Sequence, residues 1–294
     1  MIEILSAHPA VFLLVCVLFA LLIGSFLNVV IYRVPVMMQR EWRSQCQELL
    51  AEPAGDLPEG RFDLVVPRSR CPSCSAQITA LQNVPVISYL LLRGKCGHCK
   101  APISARYPAI EVLTAVLTGL TAWRFGFGWE ALAAIGLTWT LIAITFIDFD
   151  HQIIPDSLSL PLLWAGLSLS LFNPMAGADV LFIAPKSAIV GALAGYLSLW
   201  SVYHLFKLVT GKEGMGYGDF KLLAALGAWL GWQELPVIII LSALVGAIMG
   251  IGLMAVRGRD RNVPMPFGPF LAAAGWLAML YGPQIRSWWV SVVT

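Results

Sequence analysis

Long apolar runs alternate with short polar connections along the whole chain. A bilayer core about 30 Å thick requires roughly 20 apolar residues in a helix, and the connections contain the Gly, Pro and Asn that end helices. The pattern predicts an all-α polytopic membrane protein with about eight transmembrane helices. The predicted spans are 10–32, 107–124, 129–147, 158–173, 185–206, 219–233, 235–256 and 267–290.

The composition supports this fold class. Hydrophobic residues make up 58% of the 294 positions and charged residues 12%, whereas a soluble domain carries about 25% charged residues. A soluble globular protein is therefore excluded. The first apolar run has no basic segment before it and no clear small-residue cleavage site, so we expect a retained helix rather than a signal peptide.

One polar stretch, 33–106, is long enough to form a domain outside the membrane. We therefore divide the chain into a first transmembrane helix at 1–32, a polar domain at 33–106 and a membrane core of about seven helices at 107–294. Loops rich in Lys and Arg stay in the cytoplasm, and ten of the nineteen Lys and Arg lie in the polar stretch. With that stretch in the cytoplasm, sixteen of the nineteen basic residues lie inside and both termini lie outside.

Two aspartates stand at the ends of predicted spans. Asp148 ends the third span and Asp219 begins the sixth, so the predicted orientation brings both to the cytoplasmic interface. Two carboxylates that share one site do not both ionise readily, so one holds a proton and the other accepts one. Such a pair can activate a water molecule and protonate a leaving amine.

The same residues also have a structural interpretation, and sequence alone leaves both open. Asp219 stands where a carboxylate caps the first turn of a helix, and Asp148 can be a solvated loop acid. For Asp150 and Asp156 we favour the structural interpretation, with Asp156 beginning a helix. Asn28 is expected to form a hydrogen bond between helices, and Arg33 to extend to the membrane interface.

Four cysteines form two CxxC motifs in the polar stretch. Cys71 and Cys74 make up the first, and Cys96 and Cys99 the second. Four thiolates can surround one tetrahedral zinc ion, which is typical of a structural site, and the reducing cytoplasm disfavours disulfides. The sequence predicts a small zinc-binding loop domain, with redox-active or unligated thiols as the alternative.

Several motifs together resemble one family. They are GSFLNVVIYRVP at 24–35, the four-cysteine segment, PISARYPAIEVLTA at 102–115, IDFDHQIIPD at 147–156, and the GxGD motif of Gly216-Tyr217-Gly218-Asp219. This ordered set resembles the GxGD membrane aspartyl peptidases, and more narrowly the bacterial type IV prepilin peptidases, also called leader peptidase/N-methyltransferases. The resemblance implies that Asp148 and Asp219 are catalytic. Asp150 is the rival for the first position, and the spacing to Pro155 favours Asp148.

The resemblance also implies an activity and a location. The family removes a short basic leader from prepilins and pseudopilins at the cytoplasmic face of the inner membrane, and then methylates the new amino terminus with S-adenosylmethionine. Both termini are then periplasmic, and the expected partners are these substrates and membrane lipid, with no nucleic acid. The residues that bind S-adenosylmethionine are not identified; Glu111 either contributes to that site or pairs with Arg106.

Three other functions remain open from the residues alone. The first is a GxGD protease that cleaves other substrates within the membrane, against which the four-cysteine loop argues. The second is a proton-coupled transporter, which would place its acids near the membrane midplane and often shows inverted repeats. The third is a zinc-binding assembly factor without catalytic activity.

Overall fold

The computed structural model describes residues 2–50, 60–172, 183–257 and 265–293. Arg259 and Arg261, which the predicted orientation uses, and the end of the predicted span 158–173 lie outside these residues. The described residues are helical apart from turns and loops, with isolated bridges at Arg70–Gln77 and Lys95–Pro102. The predicted all-α class is therefore confirmed. The chain forms two compact units, Met1–Phe127 and Gly128–Thr294.

The first unit is built on one long helix and a second helix that packs beside it. Its helices are α1 (Ile2–Ala7), α2 (Pro9–Leu50), α3 (Ile87–Leu91) and α4 (Arg106–Phe125). Helix α2 continues far beyond the predicted end at residue 32 and includes the polar residues that follow the apolar run. The segment between α2 and α4 carries the four cysteines.

Helices α2 and α4 lie antiparallel, in close contact. A Cβ on Gly24 would lie 2.7 Å from the Cα of Glu111, so only glycine allows this approach. Asn28 Nδ2 donates a hydrogen bond to the Tyr107 carbonyl at 3.2 Å, which confirms the predicted contact between helices. Farther along, Phe12 packs edge-on against Phe127.

Arg33 differs from the expectation. Its side chain is buried and donates hydrogen bonds to the carbonyls of Asp63 and Pro67. A buried guanidinium needs hydrogen-bond acceptors, and the returning loop supplies two carbonyl groups. Arg33 therefore fastens the loop to α2 instead of extending to the lipid headgroups.

The second unit surrounds one short helix with longer ones. Its helices are α5 (Trp129–His151), α6 (Asp156–Ser170), α7 (Pro185–Thr210), α8 (Tyr217–Leu230), α9 (Leu235–Arg257) and α10 (Gly268–Val293). Helix α8 is the centre, and every residue from Leu222 to Leu230 is buried. Helices α6, α7 and α10 all pack against it.

Glycines allow α7 and α8 to approach closely. A Cβ on Gly191 would lie 2.1 Å from the Gly227 carbonyl oxygen, and one on Gly195 would lie 2.6 Å from the Leu223 carbonyl oxygen. On another side of α8, Trp229 Nε1 donates a hydrogen bond to the Leu162 carbonyl in α6 at 2.7 Å. The position of α8 is thus fixed by backbone contact on one side and by an indole on another.

Each of the eight predicted spans falls on a helix. Among the residues that the structure describes, four segments are long and apolar enough to cross a membrane: Pro9–Leu50, Trp129–His151, Pro185–Thr210 and Trp232–Gly252. The chain is therefore a multi-pass membrane protein, while the number of about eight spans stays a prediction. Helix α8 has 14 residues, about 21 Å, so it is short for a full span.

Candidate active site and metal centre

Asp148 lies in the last turn of α5. Helix α5 ends because Gln152 adopts a left-handed conformation, with φ of 56°, and its N–H donates to the Asp148 carbonyl. The Asp148 side chain is 5% exposed. Its Oδ2 accepts a hydrogen bond at 3.0 Å from the N–H of Gly268, the first residue of α10. A carboxylate is favourable there because the N-terminus of a helix carries partial positive charge.

Gly268 allows this contact because it has no side chain. An added Cβ would lie 2.7 Å from Asp148 Oδ2 and 2.9 Å from the Ile154 side chain. Alanine at this position would therefore push the carboxylate or the loop away. Gly268 was not predicted from the sequence, although a glycine directly before Pro269 at the start of an apolar run is a possible signal.

Asp219 lies in the first turn of α8 and is 7% exposed. The backbone N–H of Gly216 interacts with its carboxyl group, so part of the predicted capping role is present. Its other oxygen, Oδ1, is buried and has no hydrogen-bond partner among the described residues. A buried oxygen without a partner costs free energy unless another group, such as a water molecule or a proton, satisfies it. Capping therefore does not account for the whole carboxyl group.

The second unit brings the two aspartates together. The Asp148 carboxyl lies close enough to act electrostatically on the Asp219 carboxyl. Ile154 lies between the backbones that carry them: its side chain contacts the positions of both Gly218 and Gly268, where an added Cβ would lie 2.7 and 2.9 Å away. Asp148 and Asp219 are 71 residues apart in the chain, yet the glycine that donates to the first and the glycine that precedes the second both pack against Ile154.

Other acids near this site are exposed. Asp150 and His151 are exposed at the end of α5. Asp156 is also exposed and begins α6, as predicted. Asp156 accepts hydrogen bonds from Lys221 Nζ at 2.7 Å through both carboxylate oxygens. This ion pair connects the start of α6, which follows the loop after Asp148, to α8 two residues beyond Asp219. Lys221 was not predicted as a site residue, because no sequence pattern shows that α6 and α8 begin side by side.

The four cysteines of the first unit form one cluster. The sulfur atoms of Cys71, Cys74, Cys96 and Cys99 all lie within 4.8 Å of one another, and the Cys71 and Cys99 sulfurs are 3.8 Å apart. Four ligands at about 2.3 Å from a tetrahedral zinc ion are separated by about 3.8 Å. The cluster therefore has the dimensions of a four-thiolate metal site.

The two CxxC motifs have the same backbone geometry. In each motif a residue with positive φ follows the second cysteine, Ser75 in the first and Lys100 in the second. In each, the N–H of the first cysteine bonds to the carbonyl five residues later, at 2.9 and 2.8 Å. The two turns thus present their sulfurs toward a common centre.

Backbone N–H groups favour the thiolate form of the first cysteine in each motif. The N–H groups of Cys99 and His98 lower the pKa of Cys96 to about 6, and those of Cys74 and Ser73 lower the pKa of Cys71. The N–H of Ala76 acts in the same direction on Cys74, but burial and the three neighbouring sulfurs outweigh it and raise the pKa of Cys74 to about 11. A divalent cation among the sulfurs would compensate this mutual repulsion.

Glu111 has a structural role in the first unit. Its Oε2 accepts a hydrogen bond at 2.8 Å from the N–H of Val86, and the Ser25 side chain also bonds to it. Val86 has a φ of 59°, which is uncommon for a β-branched residue. The carboxylate therefore holds a strained turn against α4.

Both units match known protein families. Residues 18–125 match the bacterial peptidase A24 N-terminal domain, and residues 135–251 match the type IV leader peptidase family. Three similar proteins, each named prepilin leader peptidase/N-methyltransferase, come from Aeromonas hydrophila, Stutzerimonas stutzeri and Pseudomonas aeruginosa. They are 53%, 55% and 52% identical, and the matches cover 99%, 97% and 97% of this chain and 98%, 96% and 96% of the relatives. No solved structure gives a significant match. At this identity over nearly its whole length, the chain belongs to the type IV leader peptidase family.

Proposed function

We propose that this protein removes the leader peptide from prepilins and pseudopilins, with Asp148 and Asp219 as the catalytic pair. The observation that carries the proposal is the meeting of two buried carboxyl groups from α5 and α8 in one site. The names of the similar proteins, which cover the same length, agree with this activity. The substrate is the junction between a basic leader and an apolar pilin helix.

The geometry supports an acid–base mechanism. One carboxylate accepts a proton from a water molecule, whose oxygen attacks the scissile carbonyl carbon, and the other carboxyl group donates a proton to the leaving nitrogen as the C–N bond breaks. Asp219 Oδ1, which has no partner among the described residues, is free to bond to that water. The N–H of Gly268 holds the Asp148 carboxyl in one orientation. Such positioning is a large part of catalysis.

The positions of the acids also favour a peptidase over a transporter. Asp148 lies in the last turn of α5 and Asp219 in the first turn of α8, so both lie at helix ends rather than at mid-helix. With the segment 33–106 in the cytoplasm, this end of the unit is at the cytoplasmic face of the inner membrane. Both chain termini are then periplasmic.

The second proposed activity is N-methylation of the new amino terminus. S-adenosylmethionine supplies the methyl group: a nitrogen–carbon bond forms, a sulfur–carbon bond breaks and the amine loses a proton. The proposal is supported by the names of the similar proteins, and no residue of this chain is assigned to the methyl donor. The four cysteines are proposed to hold a structural zinc ion that folds the 60–105 segment, which has few large buried side chains of its own.

The decisive experiment replaces each aspartate with asparagine and measures cleavage of a purified prepilin. Asp148→Asn and Asp219→Asn are expected to reduce cleavage at least about 100-fold, as loss of a general acid or base does. Asp150→Asn is the matched control, because Asp150 lies two residues from Asp148 and is exposed. Cleavage at the wild-type rate by either of the first two variants would refute the assignment. Mass spectrometry of the product reports methylation separately.

A further inference from the structure

The short helix α3 is held against the N-terminal end of α4. Residue Val86, which directly precedes α3, donates its N–H to the Glu111 side chain in the second turn of α4. Tyr89 of α3 places its hydroxyl 3.5 Å from the Ile103 carbonyl, just before α4 begins. The position of α3 along the membrane normal is therefore tied to the position of α4.

The contacts between α2 and α4 give that position. Glu111 lies directly opposite Gly24, and Tyr107 opposite Asn28. The apolar run of α2 extends to Ile31, seven residues beyond Gly24 or about 10 Å at the helical rise. The Cα of Glu111 thus lies about 10 Å inside the apolar zone. A glutamate side chain that reaches from there to Val86 places the start of α3 near the boundary of that zone.

The side chains of α3 suit this boundary. Ile87, Leu90 and Leu91 are spaced as neighbours on one helix face, and they are 57%, 67% and 79% exposed. Arg93 and Lys95 follow directly and are also exposed. An apolar face with adjacent cations is the pattern of a helix that lies in the membrane interface among anionic lipids.

We propose that α3 is an interfacial helix whose apolar face is covered by the bilayer on the side of the four-cysteine segment, with Arg93 and Lys95 bound to anionic lipid headgroups. A bilayer is the occupant that both observations require, because α3 starts at the boundary of the apolar zone and the flanking residues are basic. The basic leader of a prepilin would be repelled by these cations. The bilayer contact would fix the four-cysteine cluster, whose second CxxC motif begins at Cys96, at a set distance from the membrane surface.

The test is photo-crosslinking of the full-length protein in lipid vesicles. The vesicles contain phosphatidylglycerol or phosphatidylcholine with a diazirine in the upper acyl chain, and mass spectrometry locates the lipid adducts. The matched control is the pair Leu49 and Leu50, which is 85% and 68% exposed. These leucines lie at the far end of α2, about 27 Å beyond Ile31 at the helical rise.

We expect adducts on residues 87–91 at least tenfold above those on Leu49 and Leu50, with more adducts from phosphatidylglycerol than from phosphatidylcholine. The double variant Leu90→Glu/Leu91→Glu is expected to lose these adducts, and Arg93→Gln/Lys95→Gln to lose the preference for the anionic lipid. Equal labelling of residues 87–91 and of the control pair would overturn the proposal. The proposal would also be overturned if an added prepilin crosslinked to residues 87–91 and thereby prevented their labelling by lipid. An equal response to both lipids in the wild type would overturn the role of Arg93 and Lys95.

Discussion

Lys221 Nζ lies 2.7 Å from both carboxylate oxygens of Asp156 and thereby connects the two segments that carry the proposed catalytic aspartates. Lys221 is two residues after Asp219 on α8, and Asp156 follows the loop that begins after α5. The pair is partly exposed, with 29% of the lysine side chain and 55% of the aspartate side chain accessible. Its contribution to overall stability is expected to be at most about 1 kcal/mol, so its importance lies in positioning.

Replacement of Lys221 with Met is expected to reduce the rate of cleavage about tenfold with little change in KM, because a small displacement of a catalytic group has a large effect on rate. The charge-reversed double variant Lys221→Asp/Asp156→Lys is expected to recover part of that loss. Prepilin cleavage kinetics, with melting temperature as the stability measurement, check both. Equal losses in the single and double variants would show that the pair does not position the aspartates.

Gly268→Ala is expected to abolish most of the activity. The new Cβ would lie 2.7 Å from Asp148 Oδ2 and 2.9 Å from Ile154, so the carboxyl group must move away from its N–H donor. Gly252→Ala is the control, since a Cβ there meets nothing within 4 Å. Cleavage assays on both variants in the same detergent make the comparison, and an active Gly268→Ala protein would exclude this orientation of Asp148.

Gly191→Ala is expected to destabilise the second unit by about 3 kcal/mol, at the upper end of the usual cost of overpacking. The clashing atom is the backbone carbonyl oxygen of Gly227 at 2.1 Å, and a backbone cannot rotate out of the way as a side chain can. Thermal unfolding in detergent measures the effect. The control Gly136→Ala, in open space on α5, should unfold at the wild-type temperature; equal temperatures for the two variants would contradict the close packing of α7 and α8.

Cys96→Ser is expected to remove most of the bound zinc and to make the 60–105 segment sensitive to protease. The first cysteine of each motif receives two backbone N–H groups, which prepare it as a thiolate ligand. Metal analysis of the purified protein and limited proteolysis measure the two effects. Cys46→Ser changes an exposed cysteine outside the cluster and should leave both unchanged. A metal-free wild-type protein with the same protease resistance would refute a structural zinc.

The sequence was sufficient for the fold class and for the candidate residues, because both rest on local patterns. Apolar runs located the helices, and the two CxxC motifs located the cysteine cluster. The all-α membrane class and the family are confirmed. The catalytic roles of Asp148 and Asp219 stay predictions, although the two carboxyl groups do share one site.

Contacts between distant segments could not be predicted in the same way. The hydrogen bond from Gly268 to Asp148 joins residues 120 positions apart, and nothing in either local sequence identifies the other. Arg33 shows the same limit: an arginine at the end of an apolar run usually extends toward water, whereas here the returning loop offers it the carbonyls of Asp63 and Pro67. Such partners depend on which helices pack together.

Because α2 is one continuous helix, a change in the tilt of its membrane half also moves its polar half. Arg33 and Arg40 hold the returning segment to the polar half, through the Asp63 carbonyl and the Phe62 ring. A helix adapts to a thinner bilayer by tilting further. With about 28 Å of helix beyond Ile31, each 10° of tilt swings the polar end by about 5 Å. A change in bilayer thickness is therefore expected to shift the returning segment, because that segment is held to the polar half of α2.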